Sequence, residues 1–265
     1  KIIVSIDGGG IRGVIPLLLL KEIQERLNKD FFDLKPQWWG TSTGAIISGA
    51  LAIQQPLGFA AAVQSTLDLY EFRSSSSIQP QGNSIPSRAL DQLIDANFKG
   101  LHISDFPQLN ILASEESTHN PVVFNASNPG PLDLVIKASC AFPGLFPSVE
   151  INGQVYVDGF FGAKNPTQLA LDAAEEQEPI VISLGTGILR TKDSIEEQVQ
   201  AVHHHMLGLN AEGSVDYFRF NPSLSFAVDA MQNVSPKNIM NLRKDTLAYI
   251  PEIEEELMRL IRLLA

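Results

Sequence analysis

Ile2-Ile3-Val4-Ser5-Ile6-Asp7-Gly8-Gly9-Gly10-Ile11-Arg12-Gly13-Val14-Ile15-Pro16-Leu17 runs from one apolar stretch, through three consecutive glycines, into another. The first stretch predicts a buried strand, and Val14 to Ile23, with apolar positions continuing to Leu27, predicts a helix. Pro16 falls in the first turn of that helix, where an N–H has no intrahelical partner to lose. Strand, glycine loop and helix in this order are the unit of a parallel α/β sheet. With no side chains in the way, the backbone N–H groups of Gly8, Gly9, Gly10, Ile11, Arg12 and Gly13 can face an anion. In acyl transfer that anion is the oxygen of a tetrahedral intermediate, and one such donor is worth about 10²–10³ in rate.

The same order recurs downstream. Gln37-Trp38-Trp39 is a short strand candidate, Gly40-Thr41-Ser42-Thr43-Gly44 a tight turn, and Ala45 to Ala52 a buried helix candidate. The turn fits Gly-x-Ser-x-Gly, in which a serine projects from the end of a sheet on a sharp strand-to-helix bend. Gly40 and Gly44 leave room where a Cβ would collide, and the flanking Thr41 and Thr43 complete the elbow. Ser42 reads either as a nucleophile at a helix N-terminus, where the dipole favours negative charge, or as an ordinary serine cap.

The first loop has a rival reading, because Gly8-x-Gly10-x-x-Gly13 also matches a dinucleotide-binding fingerprint. Asp7 would then set a carboxylate beside the pyrophosphate, Asp30-Phe31-Phe32-Asp33 does not form a clear second strand ending in an acid, and Ser42 would have no role. A P-loop fits worse, since no Gly-Lys-Ser or Gly-Lys-Thr follows the glycines.

A serine nucleophile needs a base. His102, His119 and the run His203-His204-His205 sit in polar or loop-like surroundings, and consecutive histidines on a helix point apart, so no metal site is expected. Asp158 differs: it ends the apolar run Gln154-Val155-Tyr156-Val157 and precedes Gly159, at a strand end where reactive groups gather. Its alternative reading is an Asx turn closing a hairpin.

The order of Asp-Gly-Gly-Gly-Ile-Arg-Gly, Gly-Thr-Ser-Thr-Gly and Asp158-Gly159 resembles that of the patatin-like phospholipases. Ala138 to Pro147, Asn165-Pro166 and Ile182-Ser183-Leu184-Gly185-Thr186-Gly187 extend the resemblance over nearly the whole chain. The resemblance implies a three-layer α/β/α fold with a largely parallel central sheet. It also implies a Ser-Asp dyad lipid acyl hydrolase, with Ser42 as nucleophile, Asp158 as base, the N–H groups around Gly9, Gly10 and Ile11 as oxyanion hole, and Arg12 at the loop's basic position. Phe160 stands where the family usually has a small residue, so its ring either narrows the site or packs beneath it. No cofactor is called for. The other function classes are a nucleotide-binding module using Gly8 to Gly13 and an inactive lipid-binding or regulatory domain.

Composition fits one α/β domain over residues 1–265, since a chain of this length with 44% hydrophobic residues buries a sizeable core. A single cysteine, Cys140, excludes an internal disulfide. With no apolar run near 18 residues and no signal peptide visible, the expectation is a soluble, cytoplasmic chain with peripheral membrane contact. The net charge of −11 argues against nucleic acid and against electrostatic capture by anionic membranes. Lipid acyl esters at a membrane or micelle would therefore meet apolar surface. Phe142, Leu145 and Phe146 are one candidate for it, and the Ser/Pro/Gly-rich segment 73–86, read as a surface loop and potential lid, is another. Strands are further expected at 110–113, 122–124 and 180–184, helices at 89–98, 131–139 and 166–176, and a packed helix from Ile253 to Leu264.

Overall fold

Both glycine loops lie at the C-terminal ends of neighbouring parallel strands, in a computed structural model that describes residues 1–71, 87–174, 178–188, 194–228 and 231–265. The strands are β1 (Ile2–Ile6), β2 (Gln37–Thr41), β3 (Leu109–Glu115), β4 (Pro121–Phe124), β5 (Val149–Ile151), β6 (Gln154–Asp158), β7 (Ile180–Leu184) and β8 (Asp216–Phe220). The helices are α1 (Val14–Arg26), α2 (Thr43–Ile53), α3 (Phe59–Tyr70), α4 (Ser87–Phe98), α5 (Leu132–Ser139), α6 (Phe160–Ala163), α7 (Thr167–Asp172), α8 (Ser194–Ala211), α9 (Pro236–Tyr249) and α10 (Glu254–Leu264).

Among the described residues one sheet of eight strands forms in the order β5-β6-β3-β2-β1-β7-β8, with β4 also paired to β3. The run β3-β2-β1-β7-β8 is parallel throughout, and β4, β5 and β6 add an antiparallel extension. The parallel strands are buried on both faces because helices cover both. Val4, Ile6, Trp38, Ile111 and Phe218 face a large core with α1, α2, α3 and α5, whereas Ile3, Trp39, Leu112, Val181 and Tyr217 face a smaller one with α7 and α8. Alternation along each strand thus produces the three layers.

The register of β3 accounts for the site. β4 occupies one edge of β3 over Ile111 to Ser114, so β2 and β6 must share the other. β2 runs parallel and ends with Thr41 opposite Leu112; β6 runs antiparallel and ends with Asp158 opposite Ala113. Two strands arriving from opposite directions therefore meet end to end, which brings residue 42 against residue 158.

α2, which carries the serine turn, is buried from Thr43 to Ala52, and its small residues allow close approach. A Cβ on Gly49 would come within 2.9 Å of Ile136 in α5. The expected helices at 89–98 and 131–139 are α4 and α5. The helix expected over 166–176 is shorter, α7 ending at Asp172, and residues 175–177 fall outside the described residues. The segment 73–86, expected to be a lid, also falls outside them. α10 packs as expected, with Leu257, Leu260, Ile261 and Leu264 buried.

Candidate active site

Ser42 takes φ 55° and ψ −118°, a sparsely populated conformation for a residue with a side chain, of order 1–3 kcal/mol in strain. The glycines make the bend possible: a Cβ on Gly40 would collide with the Gly44 carbonyl, and one on Gly44 with the Ile6 carbonyl. Ser42 is the first residue before α2, yet its side chain does not cap the helix. Its Oγ instead donates to Asp158 Oδ2 at 2.8 Å. The turn is held from below, where Ser42 N–H donates to Ser139 Oγ at 2.8 Å and Ser139 Oγ donates in turn to the Leu112 carbonyl. Thr41 Oγ1 donates to the Ala163 carbonyl at 2.8 Å, and Thr43 Oγ1 is hydrogen-bonded to the Tyr70 hydroxyl.

Asp158 is 2% exposed. Its Oδ1 accepts the Phe160 N–H at 2.8 Å, so the Asx turn read from the sequence exists and leaves Oδ2 for Ser42. The hairpin it was expected to close is instead β5-β6, which turns at Asn152-Gly153. Burial pushes the Asp158 carboxyl up to about 7, although the hydrogen bonds from Phe160 and Ser42 pull the other way. The neighbouring Cys140 thiol is pushed well up, first by burial and then by the Asp158 charge, so it stays a protonated, poorly nucleophilic group.

The glycine loop is braced from several sides. Gly8 N–H donates to the Lys164 carbonyl at 3.0 Å, Ile11 N–H to the Met231 carbonyl at 2.9 Å and Arg12 N–H to the Gly9 carbonyl at 3.3 Å. Ile11, expected as an oxyanion donor, therefore has its N–H occupied, as do Gly8 and Arg12. Among the described residues the N–H groups of Gly9 and Gly10 have no acceptor. Gly10 adopts φ 59°, and a Cβ on Gly9 would collide with Thr186, whose Oγ1 donates to the Gly8 carbonyl at 2.8 Å. Gly13 faces both Thr43 Oγ1 and the Tyr70 ring, so the two loops touch through it. Arg12 is fully buried and its Nε reaches the Gly9 carbonyl at 3.2 Å.

Asp7 ends β1 inside a polar cluster. Arg219 from β8 grips it with both terminal nitrogens, at 2.9 and 2.5 Å, and also donates to Ser183 Oγ at 2.8 Å. The carboxylate that would have stood beside a pyrophosphate thus anchors the loop from behind. Sequence reading missed Arg219, although a lone arginine within Tyr217-Phe218-Arg219-Phe220 was the available signal. It also missed Tyr70 and Met231, and it placed Ser139 and Thr186 in stretches that extend the resemblance without giving them a role; all four make contacts that depend on chain segments far apart.

Ser42, Asp158 and Gly10 open onto a cavity of about 140 Å³. Its other walls are mostly apolar, with Ile46, Leu90, Leu93, Phe142, Leu145 and Phe146 prominent and Thr43, Tyr70 and Gln232 among them. The aromatic turn at 142–146 thus faces the cavity. Phe160 does not line it, but packs under Gly8, 3.4 Å from where a Cβ would stand, and edge-on to Phe142. Among the described residues no histidine lines the cavity. His203 bonds the Tyr217 hydroxyl at 3.1 Å, and burial, with the Arg219 charge, lowers its pKa; His119 stacks on Phe161 and His102 bonds Ser104.

A mostly parallel sheet between helix layers, with a glycine loop and a serine elbow at adjacent strand ends, is the architecture of a patatin-like protein. The model of the Patatin-like phospholipase family matches residues 4–171, and the chain belongs to that family. An intracellular phospholipase A2 of Caenorhabditis elegans is 28% identical over 189 residues, covering 66% of this chain and 16% of that protein. The human calcium-independent phospholipase A2-gamma is 24% identical, covering 99% of this chain and 40% of that protein. Patatin-like protein 3 of Arabidopsis thaliana is 24% identical, covering 92% of this chain and 74% of that protein. The chain thus spans less than half the length of the first two. No helix among the described residues is long and apolar enough to cross a membrane.

Proposed function

We propose that the chain is a serine acyl hydrolase of lipid esters, phospholipids foremost, acting through Ser42 and Asp158. The observation that carries this reading is the 2.8 Å hydrogen bond from Ser42 Oγ to a buried carboxylate at the floor of an apolar cavity. The phospholipase relatives support the choice of lipid esters.

In the first half-reaction Asp158 Oδ2 takes the Ser42 proton while Oγ attacks the ester carbonyl carbon. The carbonyl oxygen becomes an oxyanion received by the N–H groups of Gly9 and Gly10, with the positive end of the α2 dipole close by. The bond to the alcohol oxygen then breaks, and the alcohol leaves with the proton held by Asp158. In the second half Asp158 takes a proton from water, the resulting hydroxide attacks the acyl-enzyme carbonyl, and the fatty acid departs as Ser42 regains its proton. A carboxyl near neutrality suits both directions of transfer. The acyl chain occupies the apolar cavity, and the strained Ser42 backbone keeps Oγ aimed at its mouth.

Fatty-acid release from phospholipid vesicles tests the reading. Wild type releases fatty acid, and Ser42→Ala and Asp158→Asn each lower the rate by about 10³ or more. Retention of wild-type rates by Ser42→Ala contradicts it.

A further inference from the structure

We propose that the outward face of α9, with the segment 224–228 packed against it, is the surface that seats this chain on an anionic lipid bilayer. The inference rests on the lipid-ester reading above for its choice of occupant. Met240 is 69% exposed, Leu247 57%, Phe226 45% and Val228 44%, a concentration of large apolar side chains in water. Met240, Lys244 and Leu247 recur at helical spacing, and Lys237 begins the same exposed stripe. The Lys244 ammonium stands 3.6 Å over the Phe226 ring, which joins the helix face to the segment beside it.

This arrangement is built in rather than incidental. Asp245, buried at 3%, turns inward and accepts the N–H groups of Ser225, Phe226 and Ala227 at 2.8–3.2 Å. Asn238 accepts from Val228 N–H at 3.0 Å, and Asn241 donates to the Phe226 carbonyl at 2.9 Å. The polar side chains of α9 face the segment and fix it, leaving Phe226 and Val228 outside.

Charge and position choose the occupant. The chain carries a net charge of −11, yet the exposed stripe from Lys237 to Leu247 presents two lysines and no acid. Apolar side chains flanked by lysines, whose stems lie along hydrocarbon while their ammonium groups reach phosphate, form an interfacial pattern. Locally the stripe thus differs in charge from the chain as a whole, whose net charge argues against electrostatic capture by anionic membranes. The face also borders the cavity twice. Met231, Gln232 and Val234 line the cavity just before α9 begins, and Arg243 pairs with Glu71, next to cavity-lining Tyr70. A bilayer seated here lies beside chain segments that line the cavity, which suits a lipid occupant.

Co-sedimentation with phosphatidylcholine vesicles, with and without phosphatidylglycerol, tests the assignment. Each lysine is worth about fivefold at an anionic surface, so Lys237→Glu with Lys244→Glu weakens binding to phosphatidylglycerol vesicles by at least about 30-fold. Met240→Asp with Leu247→Asp weakens binding to both vesicle types by at least about tenfold. Hydrolysis of a dissolved short-chain ester stays at the wild-type rate in both variants, because none of these residues lines the cavity. Vesicle binding unchanged in both variants overturns the proposal. So does a second copy of the chain bound through this face, seen as a wild-type dimer that dissociates in Met240→Asp with Leu247→Asp while vesicle binding persists. If wild type leaves the dissolved ester intact yet vesicle binding follows the stripe, the hydrolase reading fails and the docking surface stands.

Discussion

Asp158 is asked to be both buried and ionisable, and the two demands fix how activity and stability respond to pH. As the proposed base its carboxyl, pushed up to about 7, has to be deprotonated to take the Ser42 proton, so kcat/KM is expected to rise about tenfold per pH unit below neutrality and level above it. A pH–rate profile with a dissolved ester checks this. Stability runs in the opposite sense. The folded chain holds the Asp158 proton to higher pH than the unfolded chain, so its contribution is complete below the unfolded value and is lost as pH rises through about 7. Asp158→Asn therefore melts higher than wild type at about pH 8, and the gain vanishes near about pH 4, readable by scanning calorimetry. Replacing each of the five histidines by alanine leaves ester hydrolysis within about tenfold of wild type, and the neutral limb of the profile survives in each. A loss of several orders of magnitude at any one of them contradicts the assignment of the base to Asp158. Gly9→Ala drives a methyl into Thr186 and displaces a free N–H, lowering kcat by about 10²–10³ with little change in KM.

β1 and β8 hold the loop through Asp7 and Arg219, a buried bidentate pair between elements separated by most of the chain. Arg219→Met strands the Asp7 carboxylate without its partner and destabilises the fold by about 3–5 kcal/mol in urea denaturation, while Arg219→Met with Asp7→Asn recovers most of the loss. The elements most legible in the sequence were those with local causes. β1, β2, β7 and α1 followed from apolar runs punctuated by glycine, and the serine bend from glycines that only a tight turn requires. What sequence could not reach was pairing. That β6 runs back along the β3 edge vacated by β2, and so aims Asp158 at Ser42, depends on β4 filling the opposite edge. Ser139 and Tyr70 brace the serine turn from α5 and α3, which no spacing announces. α7 ends at Asp172, where the Ala173 and Ala174 N–H groups close its last turn on the Leu169 and Leu171 carbonyls.

At the scale of the whole molecule, three layers place Ser42, Asp158 and the glycine loop on one rim of the sheet, and helices of the larger core layer wall the cavity beside it. The family match reaches residue 171, while the loop anchor Arg219 and the α9 face lie beyond it. The later portion of the chain thus braces a glycine loop built by the earlier one.

Intact-mass analysis after incubation with a fluorophosphonate, followed by peptide mapping, tests the account most directly. A single adduct on Ser42, absent in Ser42→Ala and formed at least about 10² more slowly in Asp158→Asn, is the predicted result. No adduct on wild type, or an adduct that survives Ser42→Ala, contradicts it.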